Sequence, residues 1–338
     1  MLEATTPLVS IEAAENTEQR LAHRLPSVAI VGPGLVGATT AYALLMSGAA
    51  AEIVLIGRDR NRVDGEVKDL RDAALYSHPT RIVAGGFADC ASANAIIVTV
   101  GASQQRDKIS RLDDLKISAA MLKEVMTEIA AQQPKGVVVI ASNPVDVLTY
   151  AAWKWSGLPA GRVIGSGTIL DSSRFRRRLG ERYGIATENV HAYVVGEHGD
   201  SQVPLLSSAR IGGIPLEEFC QERYPSVCKE TLRGIADSAR NGGQDILRAK
   251  GATNYGISAA LTRIATAILR DEQAVFTVST VVPETMDLGQ VSLSVLAVIG
   301  REGVHRVLPL RLSEEEDQAL RRSAHILKGH ISSLEFPS

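Results

Sequence analysis

A histidine lies in the segment Gly196-Glu197-His198-Gly199-Asp200-Ser201, a glycine-flanked turn after an apolar, strand-like run. Histidine is the side chain that exchanges a proton near neutral pH. Upstream, Asp171 and Arg174 are three residues apart, so on a helix they share a face. A carboxylate to orient an imidazole and a guanidinium to grip an anion are what an acid/base catalyst for a small acid substrate needs. By themselves Asp171 and Arg174 would read as an ordinary surface ion pair. His198 downstream, with Arg111 at the end of a polar loop, moves the reading to catalysis. Glu197, His198 and Asp200 lack the two-histidine spacing of a zinc site, so no metal is expected.

A redox cofactor is the natural complement of such a pair. Residues 27–31 form a β-branched run read as a buried strand. Gly32-Pro33-Gly34-Leu35-Val36-Gly37 follows at once, then a helical pattern through Ser47 closed by Gly48. This is G-x-G-x-x-G in its strand–turn–helix context, with Leu35 and Val36 opening the helix. Gly32 permits the tight turn, Gly34 lets backbone approach a pyrophosphate at the helix N-terminus, and Gly37 lets helix and strand pack closely. The next strand, residues 52–56, breaks the pattern. An acid at its end would accept both ribose hydroxyls and repel a 2′-phosphate. Here stand Gly57, Arg58, Asp59 and Arg60. Arg58 could pair with a phosphate and admit NADP(H); alternatively, Asp59 reaches back to the ribose and NAD(H) is preferred.

The positioning elements alternate through the first half. Strands are expected near residues 82–84, 95–100 and 137–140, the second closed by Gly101 at the cofactor side. A helix is expected from Arg111 to about Gln132. Asn143 sits at a strand's C-terminal end, where open α/β sheets bind ligands, and doubles as a candidate helix cap before Pro144 in the next helix's first turn. Beyond residue 165 the pattern becomes mixed: long helices over 227–250 and 254–270, antiparallel strands over 274–282, 291–299 and 303–308, and a last helix opened by Ser313-Glu314-Glu315-Glu316. The expected division is a tail over 1–26, a dinucleotide-binding domain over 27–165 and a substrate domain over 166–335.

The 338 residues suffice for two domains with sizeable cores. The net charge of −2 argues against nucleic acid, and no apolar run approaches the length of a membrane helix. Residues 1–26 lack the basic start and apolar centre of a secretory signal and read as a flexible tail. Cys90, Cys220 and Cys228 have no CxxC spacing and read as reduced thiols in a cytoplasmic protein.

Taken in order, residues 32–37, Ser110-Arg111-Leu112, 142–146, 165–174, 196–200 and the closing Ser-Glu-Glu-Glu helix resemble the L-lactate and malate dehydrogenase family, over residues 27 to 333. The resemblance implies an α/β fold, a Rossmann-type doubly wound parallel sheet followed by a mixed α+β catalytic domain. It implies hydride transfer between a nicotinamide cofactor, NAD or NADP, and a 2-hydroxy acid. It makes His198 the proton donor and acceptor, with Asp171 holding its tautomer. Arg174 would grip the substrate carboxylate, and Arg111 would polarise the carbonyl from a closing loop. Asn143 would contact cofactor ribose and active site, and Thr253 would line the pocket. Gln104, three after Gly101, would select a methyl-sized substrate, pyruvate and L-lactate. The loop is one residue longer than the family's, so Gln105 or Arg106 could take that place. An inward Arg106 would favour malate, and a longer loop could admit bulkier 2-hydroxy acids. Arg176 and His191 match positions where bacterial members bind fructose 1,6-bisphosphate between subunits, and the family assembles as dimers and tetramers.

Overall fold

The computed structural model describes residues 26–101, 111–226 and 228–337, with the side chains of Arg111 and Leu112 excluded. The expectations for the tail and for Gln104, Gln105 and Arg106 lie outside the described residues, as does the side chain of Arg111.

The first half runs β1 (Ser27–Val31), α1 (Leu35–Ser47), β2 (Glu52–Ile56), α2 (Arg60–Ala74), β3 (Arg81–Ala84), β4 (Ala95–Val98), α3 (Arg111–Ala131), β5 (Val137–Ile140), α4 (Val145–Ser156) and β6 (Val163–Gly165). The second half adds α5 (Ile169–Tyr183), β7 (Val190–His191), β8 (Val194–Val195), β9 (Val203–Pro204), β10 (Arg210–Ile211), β11 (Ile214–Pro215), α6 (Leu216–Arg223), α7 (Cys228–Lys250), α8 (Tyr255–Arg270), β12 (Ala274–Val281), β13 (Ser292–Gly300), β14 (Gly303–Val307) and α9 (Glu314–Ile331).

Among the described residues, nine strands form one sheet in the order β14-β13-β12-β6-β5-β4-β1-β2-β3. The six strands of the first half are parallel, in the doubly wound order. β12 joins β6 antiparallel through Ser279 and Gly165, and β13 and β14 continue antiparallel. The expected domain boundary therefore falls at the last residue of a strand inside a continuous sheet.

Strand side chains alternate between two cores, as the period of two requires. Val28 and Ile30 pack with Leu44, Val63, Val67, Leu261 and Ile264 of α1, α2 and α8. Ala29 and Val31 face the other way, with Leu115, Leu122, Met126 and Ile129 of α3, Leu148 of α4 and Leu320 of α9. A third core around Phe175, Leu179, Val190, Cys220 and Leu232 joins α5, α6 and α7 to the short strands. All three cysteines are buried free thiols.

Two local expectations are corrected. β4 ends at Val98, not at residue 100, because its neighbour β1 ends at Val31 and turns at Gly32, whose φ is +94°. Pro144 is the N-cap of α4 in extended backbone, with Val145 as the first helical residue, and no side chain caps this helix. Asn143 is therefore not its cap.

Candidate active site

Parallel strands end together at one edge of the sheet, and a cleft opens just beyond those ends. Its volume is about 510 Å³, and its lining includes Val36, Thr99, Asn143, Asp171, Arg174, His198 and Thr253.

One end of the cleft is built for a dinucleotide. Gly34 caps α1 with no side-chain acceptor, and the first turn holds no acidic residue. The positive helix end is thus left for an outside anion. A Cβ on Gly34 would meet nothing within 4 Å, so the backbone is open on that side. At Gly37 the opposite holds: a Cβ would lie 2.5 Å from the Gly32 carbonyl oxygen and 2.8 Å from Thr99 Oγ1. Leu35 is an apolar side chain 53% exposed at the helix start. These residues fit the pyrophosphate end of a nicotinamide dinucleotide.

The catalytic candidates converge at the other end. Asp171 lies in the first turn of α5 and is 3% exposed. Its Oδ2 pairs with His198 Nδ1 at 2.6 Å, and its Oδ1 accepts from Arg174 Nη1 at 3.1 Å. One carboxylate therefore orders both the imidazole and the guanidinium, and it fixes Nδ1 as the protonated ring nitrogen, leaving Nε2 for chemistry. The backbone holds this geometry by several buried bonds. Val194 N–H donates to Ser172 Oγ at 2.9 Å, and Thr168 Oγ1 donates to the Val194 carbonyl. β8, which leads into the histidine turn, is thereby bonded to the helix that carries Asp171. Gly196 exchanges two 2.9 Å bonds with Ser294 of β13 and sits at φ +84°, and Glu197 N–H donates to Ser323 Oγ at 2.8 Å.

A second carboxylate was not singled out from the sequence. Asp146, in the first turn of α4 and 2% exposed, accepts the His198 backbone N–H at 2.7 Å. Burial pushes its pKa up to about 6, against the lowering effect of that bond. Burial pulls the His198 imidazole down, but the charge and hydrogen bond of Asp171, then the charge of Asp146, more than compensate, so its pKa is raised, with Arg174 opposing. Asp171 runs the other way: burial alone would raise its pKa, and the charges and hydrogen bonds of His198 and Arg174 hold it lowered. The only sequence signal for Asp146 is an acid two places after a proline at a strand's end.

α7 packs against Arg174 through two glycines. A Cβ on Gly242 would lie 3.3 Å from Arg174 Cδ, and one on Gly243 3.5 Å from both terminal nitrogens. Two adjacent glycines inside a long helix were the available sign, since each costs helix stability.

The remaining expected residues separate into groups. Asn143 and Thr253 line the cleft beside His198. Gly101 is exposed past β4, and Arg111 is the first residue of α3. Gly57 follows β2 directly, with Arg58 exposed after it. Asp59 is the N-cap of α2, accepting from Arg62 N–H at 3.2 Å, so its carboxylate is engaged in its own helix. Arg176 sends Nε to the Val190 carbonyl at 2.7 Å and Nη2 to the Thr187 carbonyl at 3.4 Å. His191 is exposed on β7.

The chain is similar over most of its length to known proteins. Residues 27–165 match the family model for the NAD-binding domain of lactate/malate dehydrogenase, and residues 168–335 match that for its alpha/beta C-terminal domain. The chain is 45% identical to the L-lactate dehydrogenase of Thermus aquaticus over 309 residues, covering 91% of this chain and 99% of that one. It is 41% identical to a probable L-lactate dehydrogenase of Schizosaccharomyces pombe, over 91% and 92% of the two chains. Among solved structures, a lactate dehydrogenase from a Medee basin deep-sea metagenome library superposes with a TM-score of 0.87 at 36% identity, covering 91% and 98% of the two chains. The ligand-bound minor L-lactate dehydrogenase of Enterococcus mundtii gives 0.87 at 35% identity, covering 92% and 99%.

Proposed function

The chain belongs to the lactate/malate dehydrogenase family, and from that premise we propose that it is an L-lactate dehydrogenase that interconverts pyruvate and L-lactate. The observation that carries the proposal is the cleft in which one buried carboxylate, Asp171, orders both His198 and Arg174.

Each residue then has a task. Gly32, Gly34 and Gly37 would hold the pyrophosphate of the dinucleotide, whose nicotinamide would supply or accept the hydride. His198, protonated at both ring nitrogens, gives the Nε2 proton to the substrate oxygen as negative charge develops there, a step worth ~10²–10⁴ in rate. Asp171 holds the ring and stabilises its charged form. Arg174 keeps donors free beyond the one on Asp171, and these take the substrate carboxylate as a charge-assisted pair. That pairing positions the substrate carbonyl against His198. Arg111 adds a positive charge where oxygen gains electrons. Gln104 gives the neutral side chain that suits a methyl-sized substrate. A dicarboxylate would need a further cation, because burying an unpaired carboxylate is costly.

The cofactor is NAD, with NADP also admitted, since Asp59 is committed to its cap and Arg58 faces solvent. Assembly as a dimer or tetramer follows the family. Activation by fructose 1,6-bisphosphate would rest on His191 and on Nη1 of Arg176, since Nε and Nη2 donate to the Val190 and Thr187 carbonyls.

The test is oxidation of reduced nicotinamide, followed by absorbance, with pyruvate, oxaloacetate and 2-oxoisocaproate. Pyruvate should give the highest kcat/KM, and His198→Ala should lower kcat by about 10²-fold or more with dinucleotide binding intact. A higher kcat/KM with oxaloacetate would move the assignment to malate. A pyruvate KM unaffected by fructose 1,6-bisphosphate would remove the effector.

A further inference from the structure

Gly57 stands where an acid would meet the cofactor's 2′-hydroxyl, and its surroundings explain why it is glycine. A Cβ built there would lie 2.9 Å from Val63 Cγ2, 3.0 Å from Pro33 Cδ and 3.3 Å from Pro33 Cγ. Val63 is 1% exposed in the core under α2, and Pro33 is buried within the glycine turn. Neither group can swing away as the tip of a long side chain would. A proline ring is fixed to its own backbone, and a β-branched side chain in a helix has one strongly preferred rotamer. The turn that carries Pro33 is also fastened to β2 by Gly32 N–H donating to the Ile56 carbonyl at 2.8 Å, and it is closed on itself by Gly34 N–H donating to the Gly32 carbonyl at 2.7 Å.

The three charged residues that follow are not equivalent. Asp59 caps α2. Arg60 Nη1 donates to the Gly85 carbonyl at 2.6 Å. Arg58 is exposed, with no hydrogen bond or ion pair to another described residue.

We propose that Pro33 and Val63 lock residue 57 as glycine, so that packing against the pyrophosphate turn excludes a carboxylate from the cofactor's 2′ position and leaves Arg58 to meet a 2′-phosphate. Cofactor choice is then a property of three packed residues and not of position 57 alone. The Arg58 half rests on the NADP reading above; the lock itself is steric and stands apart from it.

The experiment places Gly57→Asp in two backgrounds, the natural chain and Pro33→Ala/Val63→Ala. Kd for NADH and for NADPH is read by fluorescence titration, and Tm is read on the cofactor-free proteins. In the natural background Gly57→Asp should lower Tm and weaken both dinucleotides together. In the opened background the same change should cost little further Tm and should move the Kd ratio toward NADH by about tenfold or more, the non-additivity expected of residues in contact. Equal Tm losses and equal shifts in the ratio in the two backgrounds would overturn the lock. Arg58→Ala in the natural chain tests the other half: NADPH should weaken by about tenfold more than NADH, as for the loss of a charge-assisted phosphate contact. An unchanged ratio there overturns the phosphate reading and leaves the Tm comparison to judge the lock. Should the opened background not fold, Val63→Ala alone, which removes the nearest contact at 2.9 Å, serves as the second background under the same criteria.

Discussion

His198 works between two carboxylates with opposite characters. Asp171 is charged and shared, whereas Asp146 is pushed toward neutrality by burial, with a pKa of about 6. Reduction of a 2-oxo acid needs His198 protonated, so kcat/KM should fall as pH rises through its raised pKa. Asp171→Asn removes the charge that raises that pKa. The fall should move to lower pH, with kcat reduced by about 10²-fold or more as the ring loses its order. A pH profile of pyruvate reduction checks both. Asp146 has the reverse sign for stability. Its folded pKa lies above the unfolded value of about 3.9, so its contribution is fully present below that value and is lost as pH rises through about 6. Asp146→Asn keeps an acceptor for the His198 N–H and should stabilise the protein at pH 8, by about 2–3 kcal/mol at most. Calorimetry at pH 5 and 8 measures the difference, and an equal effect at both would refute it.

At the scale of elements, glycines in one turn have different duties. Gly34→Ala adds a Cβ into open space beside an uncapped helix end. Tm should hold, and dinucleotide Kd should weaken by about tenfold, roughly the loss of one good backbone contact to a charged group. Titration with NADH decides it; a lowered Tm with binding intact would contradict the reading. The elements themselves were largely legible. β1, β2 and β5 run over the expected residues because their apolar runs are short, β-branched and bounded by glycine or polar turns. Ser313 opens the last helix as expected, and it does so in a capping box with Glu316. Of the two-residue strands only β8 was signalled, by the apolar run before Gly196; β7 and β9 to β11 could not be read, since no periodicity exists over two positions. In the site, Asp171, Arg174 and His198 were legible from residue type and order. Asp146 and Gly242 were not, because their value lies in burial and in contact with residues far away in the chain.

Over the whole molecule, the two halves are joined at a point without slack. A Cβ on Gly165 would lie 2.2 Å from Thr149 Oγ1, 2.9 Å from Val145 Cγ2 and 3.0 Å from Ser279 Cβ. Gly165→Ala should therefore cost about 1–3 kcal/mol through overpacking, seen as a lowered Tm with a single unfolding transition. Two transitions would mean that the halves melt separately. This junction was hidden in the sequence. The change of pattern near residue 165 marks where alternation of strand and helix stops, yet only the three-dimensional register places Ser279 beside Gly165.

That register also has a consequence for how the chain is made. On the ribosome β6 is complete long before β12 is synthesised, and its outer backbone groups then form an unprotected edge that another nascent chain could pair with. Slow or truncated translation past α5 should therefore favour aggregates, whereas chains synthesised through Val281 can close that edge themselves.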